Sequence, residues 1–348
     1  MTAPELQSPI HRAISKLAHH QPLSGTDATE AFGSIMRGEA SAVQIAAMLA
    51  GLRVCGESSE IVAGVVRALR EVMVRLPATD PGSLVDTCGT GGGAVQTFNI
   101  STAAAFVAAG AGVRIAKHGN RSFTSRCGSA DVLEALGVSI EVSVPVMAAS
   151  LEAAGIVFMF APLMHPAMRH VGPVRRELAI PTVMNIVGPL ANPAGAPRQV
   201  VGVADANRVP ILAGALAELG AVHAMVVHGE PGLDEISPLG ITHVVEIRDG
   251  TTSRWEIDPS DYGLAHANRN ELAGGDPGEN ARIINGILRG EGAPAAKSAV
   301  ILNAAAAIYV SGRVEKFGEG VDVAREALAK GVGMNALDRL RAACPRAA

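Results

Sequence analysis

The chain has 348 residues, which is long enough for two domains or one large one. Hydrophobic residues make up 48% and aromatic residues only 3%, so aliphatic side chains must build its core. The formal net charge of −4 argues against a nucleic-acid-binding protein, because such proteins usually carry a basic domain.

Residues 9 to 76 show the pattern of an all-helical block. Apolar residues recur every three or four positions, as Ile10, Ile14 and Leu17 do, and small polar residues such as Ser41 precede the apolar runs. This periodicity predicts amphipathic helices packed as a bundle. Pro77 and Pro81 end the block and indicate a linker. An apolar face left over in the bundle would be the natural surface for a second copy of the chain.

From residue 82 onward, short β-branched runs alternate with Ala- and Leu-rich helical segments. The candidate strands are 84–85, 113–116, 156–159, 200–203, 223–227 and 242–247. The candidate helices are 102–110, 129–136, 145–154, 168–177, 207–219, 279–288, 296–311 and 321–329. The pattern predicts an α/β fold, with a small all-helical N-terminal domain and a larger α/β domain whose largely parallel sheet is flanked by helices.

A glycine turn, Gly89 to Gly93, follows the first candidate strand, and a polar segment leads from it into a helix. Glycines let main-chain N–H groups approach an anion closely, and the free N–H groups of a helix start favour a bound phosphate. The turn lacks the Gly-Lys-Ser/Thr of a P-loop and does not close as G-x-G-x-x-G. A plain turn is the alternative interpretation.

A second polar run, Lys117 to Ser122, follows one helix later. Taken alone, it is typical of a solvated loop. Because it and the glycine turn can face one pocket, the two runs together predict a site for a phosphate or polyphosphate.

Asp234 and Glu235 lie in a glycine-rich loop that begins at Gly229. Two adjacent carboxylates can reach one site from a loop, whereas in a regular strand they would point to opposite faces. Hard oxygen ligands beside a pyrophosphate suit magnesium. A solvated surface pair is the alternative interpretation.

These motifs, in this order, resemble those of the anthranilate phosphoribosyltransferase family. Members transfer phosphoribose from 5-phosphoribosyl 1-pyrophosphate (PRPP) to the amine of anthranilate. The reaction gives N-(5-phosphoribosyl)anthranilate and pyrophosphate, requires magnesium and belongs to tryptophan biosynthesis. The resemblance covers nearly the whole chain and is carried by GTGG at 89–92, NIST at 99–102, KHGNRS at 117–122, Ser-x-x-Gly-Ser at 125–129, and the segments 165–166, 169–175, 185–193 and 232–235.

The resemblance implies a set of site residues and two Mg²⁺ ions per active site, with no side chain acting as an essential acid or base. The PRPP contacts that it implies are Gly89, Gly92, Gly93, Thr97, Asn99, Ile100, Ser101, Thr102, Lys117, His118, Gly119, Asn120, Arg121, Ser122, Phe123, Thr124, Ser125 and Ser129. The anthranilate contacts that it implies are Gly89, Asn120, His165 and Arg175. The metal ligands that it implies are Ser101, Asp234 and Glu235.

The same resemblance implies how the chain is divided. Residues 166–194 would rejoin residues 1–80 in a discontinuous helical domain, and residues 81–165 with 195–348 would form the PRPP-binding α/β domain. It also implies a homodimer that forms through the N-terminal helices. A cleft between two domains can close and exclude water from the reaction.

Three positions depart from the usual family pattern: Gly93 replaces an aspartate, Met184 a phenylalanine and Ala191 a threonine. Gly93 removes a carboxylate from the pyrophosphate end, whereas the other two are interpreted as packing changes. Two alternative functions follow from the fold group: a pyrimidine nucleoside phosphorylase that uses free phosphate, and a non-enzymatic relative that binds nucleic acid. The complete KHGNRS and Gly-Leu-Asp-Glu motifs weigh against the first alternative, and the net charge weighs against the second.

The stretch from Thr87 to Val113 carries no charge, but its first half is glycine and polar residues and its apolar run is too short to cross a bilayer. We therefore predict no membrane segment. The four cysteines form no C-x-x-C pair, which predicts free thiols in a cytoplasmic protein.

Overall fold

The computed structural model describes residues 8–122 and 126–345. Its helices are α1 (Pro9–Ala18), α2 (Gly25–Met36), α3 (Ala42–Cys55), α4 (Ser59–Val72), α5 (Ile100–Gly110), α6 (Ser129–Ala135), α7 (Val144–Ala154), α8 (Ala161–Met164), α9 (Gly172–Leu178), α10 (Val209–Glu218), α11 (Pro277–Leu288), α12 (Pro294–Val310), α13 (Phe317–Ala329) and α14 (Val332–Ala343). Its strands are β1 (Leu84–Gly89), β2 (Arg114–Gly119), β3 (Ile156–Phe160), β4 (Arg198–Gly202), β5 (His223–Gly229), β6 (Thr242–Arg248) and β7 (Thr251–Ile257). Short 3₁₀ turns cover Pro81–Ser83, Pro166–His170, Val183–Asn185, Gly188–Leu190, Ala206–Arg208, Pro259–Tyr262 and Arg269–Leu272.

Each of the first four helices begins immediately after a serine that serves as its N-cap. The hydroxyl of each serine accepts a hydrogen bond from the main-chain N–H three residues on, which satisfies one of the unpaired donors of a helix start. The capping serines are Ser8, Ser24, Ser41 and Ser58. The predicted N-terminal helical block is confirmed.

The seven strands form one sheet in the order β3-β2-β1-β4-β5-β6-β7. Strands β1 to β5 are parallel to one another, whereas β6 pairs antiparallel with β5 and β7 pairs antiparallel with β6. This confirms the predicted largely parallel sheet. The carboxyl ends of β1 to β5 therefore meet at one edge of the sheet, where α/β folds bind their ligands. The glycine turn, the end of the polar run that begins within β2 and the loop that carries Asp234 all leave from this edge.

Helices cover both faces of the sheet. On one face, α5 and the C-terminal helices form the larger apolar core, and α12 lies so deep that nearly all of its 17 residues are buried. On the other face, the N-terminal helices and α10 pack against β4, β5 and β6 in a second core. The bundle and the sheet thus share apolar contacts on this side.

The segment between β3 and β4 packs against the N-terminal bundle. Ala167, Val174 and Leu190 belong to the same apolar core as α1 to α4. The guanidinium of Arg70 on α4 donates two hydrogen bonds, of 3.2 and 2.7 Å, to the carbonyl oxygen of Leu190. These contacts agree with a discontinuous helical domain, although its limits, 1–80 with 166–194, stay a prediction.

None of the four cysteines forms a disulfide, and of the four only Cys55 is exposed. Within the described residues, no helix is long and apolar enough to cross a membrane. Three elements have no counterpart among the candidate segments of the sequence, namely the short helix α8, the edge strand β7 and the last helix, α14.

Candidate active site

The core of the site is the end of β1, which continues through polar residues to Gly89. Asp86 is fully buried, and its carboxylate accepts hydrogen bonds from Asn192 Nδ2 (2.7 Å) and from the main-chain N–H of His118 (3.2 Å). Burial raises the pKa of Asp86 to about 6, while Lys117, Asn192 and the His118 N–H act in the opposite direction. Asp86 therefore joins β1, β2 and the segment before β4 beneath the site.

The loop that carries Asp234 packs directly against the glycine turn. The main-chain N–H of Gly91 donates to Asp234 Oδ2 at 2.8 Å, and that of Ala94 donates to the Gly232 carbonyl at 2.9 Å. A Cβ atom at Gly89 would lie 2.5 Å from Asp234 Oδ2, and one at Gly202 would lie 1.7 Å from the Asp234 carbonyl oxygen. Only glycine allows an approach this close, so the turn and the loop act as one unit.

Glu235 reaches the start of α5, where its Oε1 accepts from the main-chain N–H of Ser101 at 3.1 Å. The ammonium group of Lys117 is buried, and it donates to the Thr87 carbonyl and, at 3.3 Å, to the Ser101 hydroxyl. Ser101 thus lies between the predicted metal carboxylate and the buried cation. Direct contact of Lys117 with PRPP stays a prediction, and the structure places the ammonium group behind Ser101.

The ionised forms of Asp234 and Glu235 are disfavoured where these side chains lie. Burial raises the pKa of Asp234, and burial together with the charge of Asp234 raises the pKa of Glu235 to about 8. A divalent cation would relieve both effects. In the described part of the chain, no three His, Cys, Asp or Glu side chains are grouped to hold a metal ion by themselves. The pair therefore fits magnesium, which commonly takes one or two carboxylates and completes its shell with water and substrate phosphate oxygens.

Asn99 connects the start of α5 with the segment that follows the second polar run, and the bond from Lys117 to Ser101 joins the same helix start to the run itself. Its Nδ2 donates to the Cys127 carbonyl at 3.1 Å, and its Oδ1 accepts from Nδ2 of the buried Asn280 at 2.9 Å. In turn, the hydroxyl of Ser129 donates to the Asn120 carbonyl at 3.4 Å. The two predicted polar runs therefore do meet in one place.

The other predicted PRPP residues differ in accessibility. Arg121 is exposed and pairs with Asp131 and Glu134, and its guanidinium lies over the Phe160 ring. Thr102 is buried, and its hydroxyl has no hydrogen-bond partner among the described residues. Gly92 and Gly93 lie in the glycine turn, and Thr97 lies between this turn and α5. Ile100 is buried at the start of α5. Gly119 is the last residue of β2, and Ser122 follows that strand. Phe123, Thr124 and Ser125 lie outside the described residues.

Gly93, the departure inside the turn, faces the carboxylate loop. A Cβ atom there would lie 3.0 Å from the Gly232 carbonyl oxygen and 3.4 Å from Asp234 Oδ1. A carboxylate at position 93 would therefore begin close to the Asp234 carboxylate, which places this departure beside the predicted metal ligands.

His118 and His165 pack against each other, with ring centroids 5.0 Å apart. Burial lowers the pKa of His118 to about 3 and that of His165 to about 4, so both imidazoles are neutral near pH 7. Arg175 is half-buried on α9, and burial alone lowers its pKa. No acidic side chain contributes to the pKa shift of Arg175. Its partly desolvated guanidinium is therefore suited to bind the carboxylate of a ligand.

Three supporting residues were missed by the sequence reasoning: the buried side chains of Asp86, Asn192 and Asn280. Asn192 could have been noticed, because it lies in the segment 185–193 that carries the resemblance. Asn280 gives no local signal, since it is one polar position in an otherwise ordinary helix.

Comparison with known proteins identifies both parts of the chain. Residues 11–73 match the family model described as glycosyl transferase family, helical bundle domain, and residues 81–334 match glycosyl transferase family, a/b domain. The chain is 51% identical over 330 residues to the anthranilate phosphoribosyltransferase of Rubrobacter xylanophilus, covering 95% of this chain and 96% of that protein.

Solved structures of anthranilate phosphoribosyltransferases have the same fold as this chain. The anthranilate phosphoribosyltransferase of Thermus thermophilus superposes with a TM-score of 0.89 at 42% identity, covering 95% of this chain and 98% of that one. That of Saccharomyces cerevisiae, in complex with PRPP and Mg, superposes with a TM-score of 0.87 at 28% identity, covering 97% and 98%. The yeast enzyme is also known in complex with 4-fluoroanthranilate.

Proposed function

The chain belongs to the anthranilate phosphoribosyltransferase family, and from this we propose that its cleft transfers phosphoribose from PRPP to the amine of anthranilate in tryptophan biosynthesis. The observation that carries the proposal is the carboxylate pair Asp234 and Glu235, held by Gly91 and Ser101 at the carboxyl edge of the sheet. The products are N-(5-phosphoribosyl)anthranilate and pyrophosphate.

The pyrophosphate end of PRPP belongs at the glycine turn. Here the main-chain N–H groups of Gly92 and Gly93 donate to no described residue and are available to phosphate oxygens, whereas that of Ser101 already donates to Glu235. Asp234 and Glu235, with the Ser101 hydroxyl, would hold magnesium, two ions per site in our proposal, and this metal neutralises charge that develops on the departing pyrophosphate. The turn, Asn99 and the run from Lys117 to Ser122 orient the sugar and its phosphates.

The anthranilate end belongs near Arg175 and Asn120, with Gly89 and His165 at its boundary. The anthranilate amine is already neutral near pH 7, so the attack on the anomeric carbon needs no strong base. His118 and His165 are buried and neutral, which suits packing and alignment. Catalysis is then mainly positioning of the two substrates together with electrostatic stabilisation of the leaving group.

Replacing Arg175 with alanine should weaken the use of anthranilate selectively. The change removes charge-assisted hydrogen bonds worth roughly 1.5–3 kcal/mol, so kcat/KM for anthranilate should fall by about 10- to 150-fold. The KM for PRPP should change much less. Arg176→Ala is the matched control, because this neighbouring arginine is exposed. Equal losses for both substrates in Arg175→Ala would instead assign Arg175 to a structural or hinge role.

A second copy of the chain should pack on α3. Val43 and Val54 are 78% and 80% exposed, far more than the other exposed large apolar residues of the described chain. Together with Ala47 and Ala50, they recur at spacings of four, three and four, which places all four on one face of the helix. We propose that this stripe is covered in a homodimer.

The double variant Val43→Glu/Val54→Glu should be monomeric in light scattering at concentrations where the unchanged protein is a dimer. Two carboxylates buried at the interface without partners would cost several kcal/mol. Val146→Glu/Val222→Glu is the control, because these two exposed valines lie outside α3. If the α3 variant stays dimeric, the contact surface lies elsewhere.

Two assays run side by side test the proposed reaction against its nearest alternative. The first measures pyrophosphate released from PRPP with magnesium and anthranilate, and the second measures cleavage of uridine and thymidine by inorganic phosphate. Anthranilate-dependent pyrophosphate release alone supports the proposal, whereas nucleoside cleavage alone would make the chain a phosphorylase. We place the activity in the cytoplasm, which suits four cysteines that form no disulfide.

A further inference from the structure

Asn303 on α12 holds the loop that follows the carboxylate pair. Its side chain is buried, and it contacts both main-chain polar groups of Ile236. Asn303 Oδ1 accepts from the Ile236 N–H at 3.0 Å, and Asn303 Nδ2 donates to the Ile236 carbonyl at 2.9 Å. One carboxamide therefore satisfies both main-chain hydrogen-bonding groups of Ile236.

The orientation of this carboxamide is fixed by its partners. Nδ2 also donates to the Ala299 carbonyl, 2.9 Å away in the preceding turn of α12. A flipped amide would set its NH₂ group against the Ile236 N–H and its oxygen against two carbonyls, so only one orientation pairs every group. Because α12 is buried along most of its length, Asn303 is a rigid anchor rather than an adaptable surface contact.

The anchor acts one residue from the predicted metal site. The N–H group that donates to Asn303 belongs to the peptide unit between Glu235 and Ile236. This hydrogen bond therefore sets the orientation of the peptide plane that follows the Glu235 side chain. Asn303, Glu235 and Ser101 also line one small cavity. The loop is thus fixed on two sides, by Gly91 at Asp234 and by Asn303 at Ile236.

We propose that Asn303 is a positioning residue that holds Glu235 in place as a magnesium ligand. The inference rests on the proposed role of Asp234 and Glu235 in binding metal. Outer partners that orient metal ligands typically change metal affinity by 10- to 100-fold when they are lost.

The test is a comparison of Asn303→Leu, which keeps the side-chain size but removes every hydrogen bond, with Ser298→Ala. Ser298 is a buried polar residue of the same helix, and its hydroxyl bonds to Nε2 of His266 at 2.9 Å, away from the carboxylate loop. Both variants lose buried hydrogen bonds, so both should lower the melting temperature. Metal binding is measured without anthranilate, so that no turnover occurs. The electron paramagnetic resonance signal of free Mn²⁺ is recorded with protein saturated with PRPP, and a titration of PRPP without protein gives the Mn²⁺ bound by PRPP itself.

Asn303→Leu should weaken Mn²⁺ binding by about 10- to 100-fold, and Ser298→Ala should leave it unchanged. If Asn303→Leu does not fold, Asn303→Ala replaces it, because this smaller side chain leaves room for water at Ile236, and a smaller loss in the same direction is expected. Unchanged Mn²⁺ binding in the folded Asn303 variant overturns the inference, as does an equal loss in Ser298→Ala. Asp234→Ala/Glu235→Ala, titrated alongside, separates the two hypotheses, since unchanged Mn²⁺ binding there would refute the metal site itself.

Discussion

Replacing both Asp234 and Glu235 with alanine is expected to lower kcat by about 1000-fold or more. Metal-aided stabilisation of a leaving group contributes several kcal/mol to a transition state, and about 4 kcal/mol corresponds to a factor of 1000. The protein should remain folded. The change removes two hydrogen bonds from main-chain N–H groups, but it also removes the repulsion and burial that raise the pKa of Glu235 to about 8. Steady-state rates and a denaturant titration measure both quantities.

The matched variant Asp234→Asn/Glu235→Gln separates charge from loop structure. Its amide oxygens can still accept from the N–H groups of Gly91 and Ser101, so the loop should keep its position. It should nevertheless lose activity almost as completely as the alanine variant, because neutral amides are poor magnesium ligands. Full turnover in the amide variant at ordinary magnesium concentrations would show that the pair holds the loop and does not bind metal.

Replacing Asp86 with alanine is expected to lower the free energy of unfolding by about 3–5 kcal/mol, the range typical of leaving a buried charge without its compensating partner. Asn192 Nδ2 and the His118 N–H would lose an acceptor, and the buried Lys117 would lose the carboxylate that most raises its pKa. The measurement is urea unfolding at pH 7, followed by circular dichroism.

Two controls belong to this prediction. Asp338→Ala removes an exposed carboxylate that pairs with Arg341 on α14, and it should change the unfolding free energy far less. Asp86→Asn keeps the size of the side chain but loses the charge, so it should fall between the two. If Asp86→Ala is as stable as Asp338→Ala, then the network under the glycine turn does not depend on this carboxylate.

The fold was largely predictable because its periodic patterns are strong. Apolar periodicity predicted the first four helices, and Ser41 and the serines at 58 and 59 marked two of their starts. For the second helix Thr26 or Asp27 was the expected cap, whereas the structure has Ser24. The alternation of β-branched and helical runs predicted the parallel part of the sheet. The edge strand β7 was missed because its side chains are mostly exposed and polar, so it lacks the apolar run of a buried strand. Helix α14 was overlooked, although its buried residues Gly333, Ala336, Leu337 and Leu340 recur at helical spacing.

The candidate site was predictable where one segment carries several of its groups. The glycine turn, the polar run from Lys117 to Ser122 and the carboxylate pair each stand out in the sequence, and the parallel sheet brings them to one edge. Their burial was not predictable. A solvated surface pair was the alternative interpretation of Asp234 and Glu235, yet both residues are half-buried because two glycines, Gly89 and Gly202, let the loop pack against β1 and β4.

The supporting contacts were beyond the reach of sequence patterns. Asp86 read as the end of a strand, since a carboxylate is costly in a core, but Asn192 and the His118 N–H supply the hydrogen bonds that make its burial possible. Asn280 and Asn303 act across more than 60 residues of chain on Asn99 and Ile236. Such contacts depend on how helices dock, which local periodicity does not report.

The most direct test of the proposed function is the fluorescence of anthranilate mixed with the purified protein at micromolar concentration. With PRPP and magnesium both present, the fluorescence should decrease as the amine is phosphoribosylated. Omission of PRPP, or chelation of magnesium, should stop the decrease. Constant fluorescence in the complete mixture, from a protein shown to be folded, would contradict the assignment.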